Sequence, residues 1–191
     1  MSKILVVDNY DSFTYNLVQI IEEISKQKPD VIRNNELDME GIAAYDFIFL
    51  SPGPGIPEEA GDLLEVIRRY GPTKKIMGVC LGLQAIGQVY GCQLKNLAKV
   101  FHGLQTEMHL TDEKSPIFHD IEPNFQAGRY HSWVIDKDTM VDDLKTTCID
   151  KDGEIMAAEH KDYKVYGVQF HPESILTPIG KNIVANFLTR G

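Results

Sequence analysis

The sequence predicts an α/β fold: a single open, mostly parallel sheet flanked by helices, with extra antiparallel strands in the second half. Continuous apolar runs recur at 4–7, 46–50 and 75–79. Stretches of helical periodicity separate them. After about residue 91 the runs turn short and alternating, as in Thr106–Leu110, Ile155–Ala158 and Lys164–Phe170. Strands that alternate with helices need crossover connections, so they pair in parallel and are covered on both faces.

Ile4–Val7 is apolar without alternation and stops at Asp8-Asn9, the pattern of a strand buried on both faces. Ser12 reads as the N-cap of a helix over 13–26, where Phe13, Leu17, Ile20, Ile21 and Ile24 repeat at helical spacing. The second strand, 46–50, runs into Ser51-Pro-Gly-Pro-Gly-Ile-Pro57, which its prolines and glycines make a loop. A helix near 60–70, a third strand at 75–79 and a helix over 81–90 follow. A helix over 182–188 packs back on the sheet. Neither repeat nor linker interrupts the chain, so 1–191 reads as one domain.

Composition excludes several functions. Apolar residues make up 43% and charged residues 25%, enough to bury an ordinary core. The net charge of −9, from 19 basic and 28 acidic residues, leaves no footprint for nucleic acid or anionic lipid. The three cysteines, Cys80, Cys92 and Cys148, suit neither a disulfide framework nor a zinc spacing. No metal or cofactor is expected, and a reducing cytoplasm is. The first apolar run ends at Asp8, too soon for a signal segment or a membrane span.

Two constellations carry chemistry. Gly78-Val-Cys80-Leu-Gly82 lies where a strand meets a helix, the thiol form of a nucleophile elbow. Small residues flank the reactive one because the turn is sharp. The helix N-terminus favours the thiolate, which is the attacking species. A buried core cysteine beside tight glycines is the bland alternative. His171-Pro-Glu173 follows another strand. Residues two apart on an extended segment share a side, so Glu173 can orient His171 as a base for Cys80. A surface turn is the alternative. In the 51–57 loop Gly53 and Gly55 carry N–H groups between prolines. The N–H groups of Gly53 and Leu81 are candidate donors to a developing oxyanion.

Together, GVCLGLQ, RYHSW and GVQFHPES resemble the class I, or triad, glutamine amidotransferases over essentially the whole chain. Asp8–Leu17 and Ser51-Pro-Gly-Pro-Gly look more narrowly like the small subunits of anthranilate and aminodeoxychorismate synthases. The resemblance implies a flavodoxin-like fold and a triad of Cys80, His171 and Glu173. It implies a γ-glutamyl thioester formed from L-glutamine, with Gly53 and Leu81 as the oxyanion hole. Gly53, Pro54, Gly55, Gln84, Ser132 and Trp133 would hold the substrate. A separate chorismate-binding subunit would receive the ammonia. Tyr10–Phe13, after the first strand, would dock it.

The chain departs from the family pattern at Leu83, where His is usual, at Trp133, where Leu is usual, and at Leu104, where Lys is common. Hydrolysis is expected to survive because none of the three belongs to the triad. Two other readings stay open: a glutaminase serving a nucleotide-amidating synthetase, and a catalytically silent interaction protein.

Overall fold

In the computed structural model, which describes residues 1–191, the uninterrupted apolar runs form the middle of a nine-stranded sheet. Five strands are parallel: β1 (Ile4–Asp8), β2 (Asp30–Arg33), β3 (Phe47–Leu50), β4 (Lys75–Val79) and β11 (Val165–Val168). Their order is β2-β1-β3-β4-β11. The sheet then continues antiparallel through β10 (Ile155–His160), β9 (Leu144–Ile149), β6 (Leu104–Leu110) and β7 (Asn124–Arg129). A two-stranded ribbon of β5 (Leu94–Asn96) and β8 (Trp133–Ile135) stands apart.

The helices are α1 (Thr14–Ser25), α2 (Leu63–Tyr70), α3 (Leu81–Val89) and α4 (Gly180–Arg190). Strand alternation divides the core between them. Ile4 and Val6 of β1 join Leu17 and Ile21 of α1 and Phe187 of α4 on one face. Leu5 and Val7 join Leu63 and Ile67 of α2 and Ile86 of α3 on the other. Each such side chain contributes about 1.5–3 kcal/mol on burial, which is why these strands have no polar face.

Two local expectations are corrected. Ser12 is exposed and caps nothing; Phe13 holds the N-cap position, and the Asp11 carboxylate accepts the Phe13 N–H at 2.8 Å. The chain turns at Tyr10, whose φ is 60°, and this brings Asp11 to the helix entrance. Phe13 accordingly leaves the apolar stripe of α1 and lies against the rings of Tyr130 and His171. The strand β2 escapes the sequence pattern because it is a four-residue edge strand with no buried residue.

Parallel pairing puts the ends of four strands at one edge. Asp8 ends β1 and Asn9 follows it, Ser51 follows β3, Cys80 follows β4, and Gln169 to His171 follow β11. The register aligns Val7 with Leu50, Leu50 with Gly78, and Gly78 with Gly167. Behind this edge lies a buried ion pair. Arg129 Nη1 donates to Asp150 at 2.9 Å, and its guanidinium stacks on the Phe101 ring at 3.5 Å. Arg129 Nε donates to His131 Nε2 at 3.1 Å. Burial, seconded by the Arg129 charge, pushes His131 down to about 3.

Two predictions follow from this frame. A Cβ at Gly180, where α4 begins, would lie 1.8 Å from the Pro172 carbonyl oxygen, a backbone atom that cannot swing aside. Gly180→Ala is expected to destabilise the protein by about 3 kcal/mol. Denaturant titration would show a lower midpoint at unchanged slope. His131 stays neutral in the folded chain down to about 3, whereas the unfolded chain protonates it near 6.5. Between those values the unfolded state binds more protons, so this stability is present above 6.5 and is lost as pH falls. Replacing His131 with Gln should flatten the acid limb of a stability–pH curve by up to about 1.4 kcal/mol per pH unit.

Candidate active site

The elbow is built by close backbone approach. Cys80 sits at φ 54°, ψ −102°, at the N-cap of α3, with its N–H donating to the Val168 carbonyl of β11 at 2.8 Å. A side chain at Gly78 would meet the backbone of Gly82 at 2.5 Å, and one at Gly82 would meet the Leu50 carbonyl at 2.8 Å. The two flanking glycines let α3 rise directly from β4. Neither Gly53 nor Leu81 spends its N–H on an acceptor within the protein. A Cβ at Gly53 would lie 2.8 Å from the Leu81 side chain and 2.6 Å from Asn9, so the two donors belong to one small region. Asn9 and Ser51 brace the loop, Asn9 N–H donating to Ser51 Oγ at 2.9 Å and Asn9 Nδ2 to the Ser51 carbonyl at 2.7 Å.

His171 and Glu173 are both buried, with Nδ1 and Oε1 2.6 Å apart. The turn that carries them is pinned: His171 N–H donates to the Gly128 carbonyl, and Thr177 Oγ1 to the His171 carbonyl. His171 Nε2 has no hydrogen-bond partner within the protein, and the Cys80 sulfur is near enough to favour charge on the ring. Burial opposes charge on this ring. The Glu173 carboxylate and the Cys80 sulfur outweigh it and hold His171 well above its usual value. Phe13 and Tyr130 flank the ring at 5.6 and 4.8 Å between centroids. Such an arrangement can form a thiolate–imidazolium pair and pass a proton to a leaving group.

Gln84 is buried on the first turns of α3. Its Nε2 donates to the Trp133 carbonyl at 2.8 Å and to Gln169 Oε1 at 3.3 Å. Both of its side-chain hydrogen bonds are made through Nε2, which leaves Oε1 as an acceptor for a cationic group. The carbonyls of Ser132 and Trp133 are taken within the protein, by Leu97 N–H and by Gln84 with His131. Any contact from those two residues to a ligand comes from their remaining groups. Pro54 and Gly55 are exposed at the rim, Gly55 in a left-handed turn with φ 71°. Leu83 points away: it is fully buried and packs on Gly167 of β11. Cys92 and Cys148 are buried elsewhere, and burial pushes the Cys148 thiol up to about 12.

Sequence reasoning missed Gln169, Arg129, Tyr130 and Asp150. Arg129 and His131 carry the same two-residue spacing on extended chain that singled out His171 and Glu173, and this signal was there to find. Gln169 lay inside the GVQFHPES run, but no spacing to a partner set it apart from the more conspicuous histidine.

The profile described as Glutamine amidotransferase class-I matches residues 5–190. Anthranilate synthase component 2 of Saccharolobus solfataricus is 44% identical over 200 residues, covering 100% of both chains. Aminodeoxychorismate/anthranilate synthase component 2 of Bacillus subtilis is 41% identical, covering 97% of this chain and 95% of its own. Among solved structures, a glutamine amidotransferase of Thermotoga maritima shares the fold at a TM-score of 0.81 and 14% identity, covering 99% of this chain and 97% of its own. The chain belongs to the class-I glutamine amidotransferase family.

Proposed function

We propose that the chain is the glutaminase subunit of a chorismate-using synthase, making ammonia for anthranilate, for 4-amino-4-deoxychorismate, or for both. The observation that carries this reading is the junction of Cys80 with the His171–Glu173 pair at one sheet edge, in a chain similar end to end to component 2 of such synthases.

The Cys80 thiolate attacks the side-chain amide carbon of L-glutamine, and the carbonyl oxygen becomes an oxyanion met by the Gly53 and Leu81 N–H groups. His171, charged and paired with Glu173, gives its proton to the departing nitrogen, so ammonia leaves and a γ-glutamyl thioester remains. The neutral imidazole then takes a proton from water, whose hydroxide attacks the thioester. Glutamate leaves and the thiolate is restored. Gln84 accepts from the substrate ammonium through Oε1, and Gly53, Pro54, Gly55, Ser132 and Trp133 line the rest of the grip. Glu173 accepts from Nδ1–H, favours the imidazolium with a proton on each nitrogen, and fixes the plane of the ring.

Partner docking is supported by exposed apolar side chains. Ile175, two residues past Glu173, is 95% exposed, and Tyr10, Tyr15 and Val100 are also exposed. Phe13 links the Tyr10–Ser12 turn to the His171 ring, so a partner seated on that turn touches the triad through one side chain. No helix is long and apolar enough to cross a membrane; the site is read as working in the cytosol.

The test mixes the purified chain with a chorismate-binding anthranilate synthase subunit or, separately, an aminodeoxychorismate synthase subunit. Glutamine-dependent product with either supports the reading and names the pathway. Product from ammonia but none from glutamine, with both partners, sinks it. Cys80→Ala is expected to reduce glutamine-dependent synthesis at least about 10³-fold and to leave ammonia-dependent synthesis intact. Glu173→Gln keeps an acceptor for Nδ1 but removes the charge, and should lower kcat about a hundredfold.

A further inference from the structure

One further side chain touches the reacting sulfur. Gln169 is fully buried just past β11, and its Nε2 lies 3.4 Å from Cys80 Sγ. A glutamine amide fits either way round, so its direction must come from its partners. Here an obligate acceptor fixes it. The Trp133 carbonyl can only accept, so the Gln84 atom 2.8 Å away is its amide nitrogen. That nitrogen also donates to Gln169 at 3.3 Å, which therefore presents its oxygen there and turns its own N–H toward Cys80.

The carbonyl at the head of this chain is itself held. Arg129 Nε can only donate, so His131 Nε2 accepts, and the neutral ring carries its proton on Nδ1. Nδ1–H donates to the same Trp133 carbonyl at 3.1 Å. Every donor in the sequence Arg129, His131, Gln84 and Gln169 is thus directed, and the last one ends on sulfur.

We propose that Gln169 is a further catalytic group, donating an amide hydrogen bond to the Cys80 thiolate; its place in the reaction rests on the glutaminase reading above. A donor on sulfur favours the anion that attacks the amide. In the second half of the reaction it meets the same anion as the thioester breaks. His171 approaches the sulfur as a proton carrier, whereas Gln169 has no proton to lose. Its donor is therefore in place whenever the sulfur carries charge.

The experiment is alkylation of Cys80 by iodoacetamide in the full chain, followed by mass spectrometry from about pH 6 to about pH 10. Cys80→Ala supplies the background from Cys92 and Cys148. Gln169→Met keeps the length of the side chain and removes the donor. Its alkylation at about pH 7 is expected to be about tenfold slower than that of the parent, with the two rates converging near pH 10. Gln169→Glu retains an oxygen toward Gln84 but sets negative charge beside sulfur, and should be slower still at neutral pH. It carries the test alone if Gln169→Met fails to fold. Equal rates at neutral pH in a folded variant overturn the proposal.

Glutamine turnover by the parent with its partner separates the two readings. Turnover with unchanged alkylation removes Gln169 alone. Slowed alkylation without parental turnover removes the glutaminase reading, and the catalytic role with it, and leaves the sulfur contact standing.

Discussion

The backbone of Cys80 is the constraint on which the rest depends. A non-glycine residue at φ 54° and ψ −102° lies outside the ordinary regions, at a cost of order 1–3 kcal/mol. It persists because it is held from several directions. Its N–H is bonded to β11, the Leu50 carbonyl leaves no room for a side chain at Gly82, and α3 is packed with α2 against one face of the sheet. Relaxing the turn would break a sheet hydrogen bond and lift a buried helix. The strain points the sulfur out of the sheet edge, toward the segment that carries His171.

The two halves of the sheet divide the work. The parallel half supplies the elbow, the loop after β3 and the histidine turn, all from strand ends on one edge. The antiparallel half supplies what keeps those parts still. The end of β7 provides Gly128, which receives the His171 N–H, and Arg129, which meets Asp150 just beyond β9. A buried pair of this kind gives little net stability against an apolar replacement, yet breaking one partner is costly. Its contribution here is positional: it fixes His131, and through His131 the Trp133 carbonyl and the amide of Gln84.

Much of this was legible in the sequence, for identifiable reasons. The runs Ile4–Val7 and Lys75–Val79 have no polar face, so only a doubly covered strand fits them, and both formed within a residue of the expected bounds. The elbow and the His171–Glu173 pair were visible because sharp turns and paired side chains leave local spacings. What failed to show was tertiary. β2 is too short and too exposed to carry a period. Ser12 had the right chemistry for a cap, but the N-cap falls to Phe13 and no side chain caps the helix; Asp11 holds the Phe13 N–H instead. Leu83 stood in the elbow run as a departure from the family pattern, and only the structure shows that the helix turns it into the core.

The register of the sheet bears on how this architecture tolerates changes in length. In β1, β3, β4 and β11, side chains alternate between two filled cores, so inserting one residue would send every subsequent side chain to the opposite layer and rotate the strand end with it. Each of those four strand ends leads directly into a part of the site. The pairing of β9 with β10 already contains register shifts between Ile155 and Ala157 and between Ala157 and Ala158. Irregularity is accommodated there, in the antiparallel strand that lies next to β11. Single-residue shifts therefore have a precedent in the β9–β10 pairing and none among the parallel pairs.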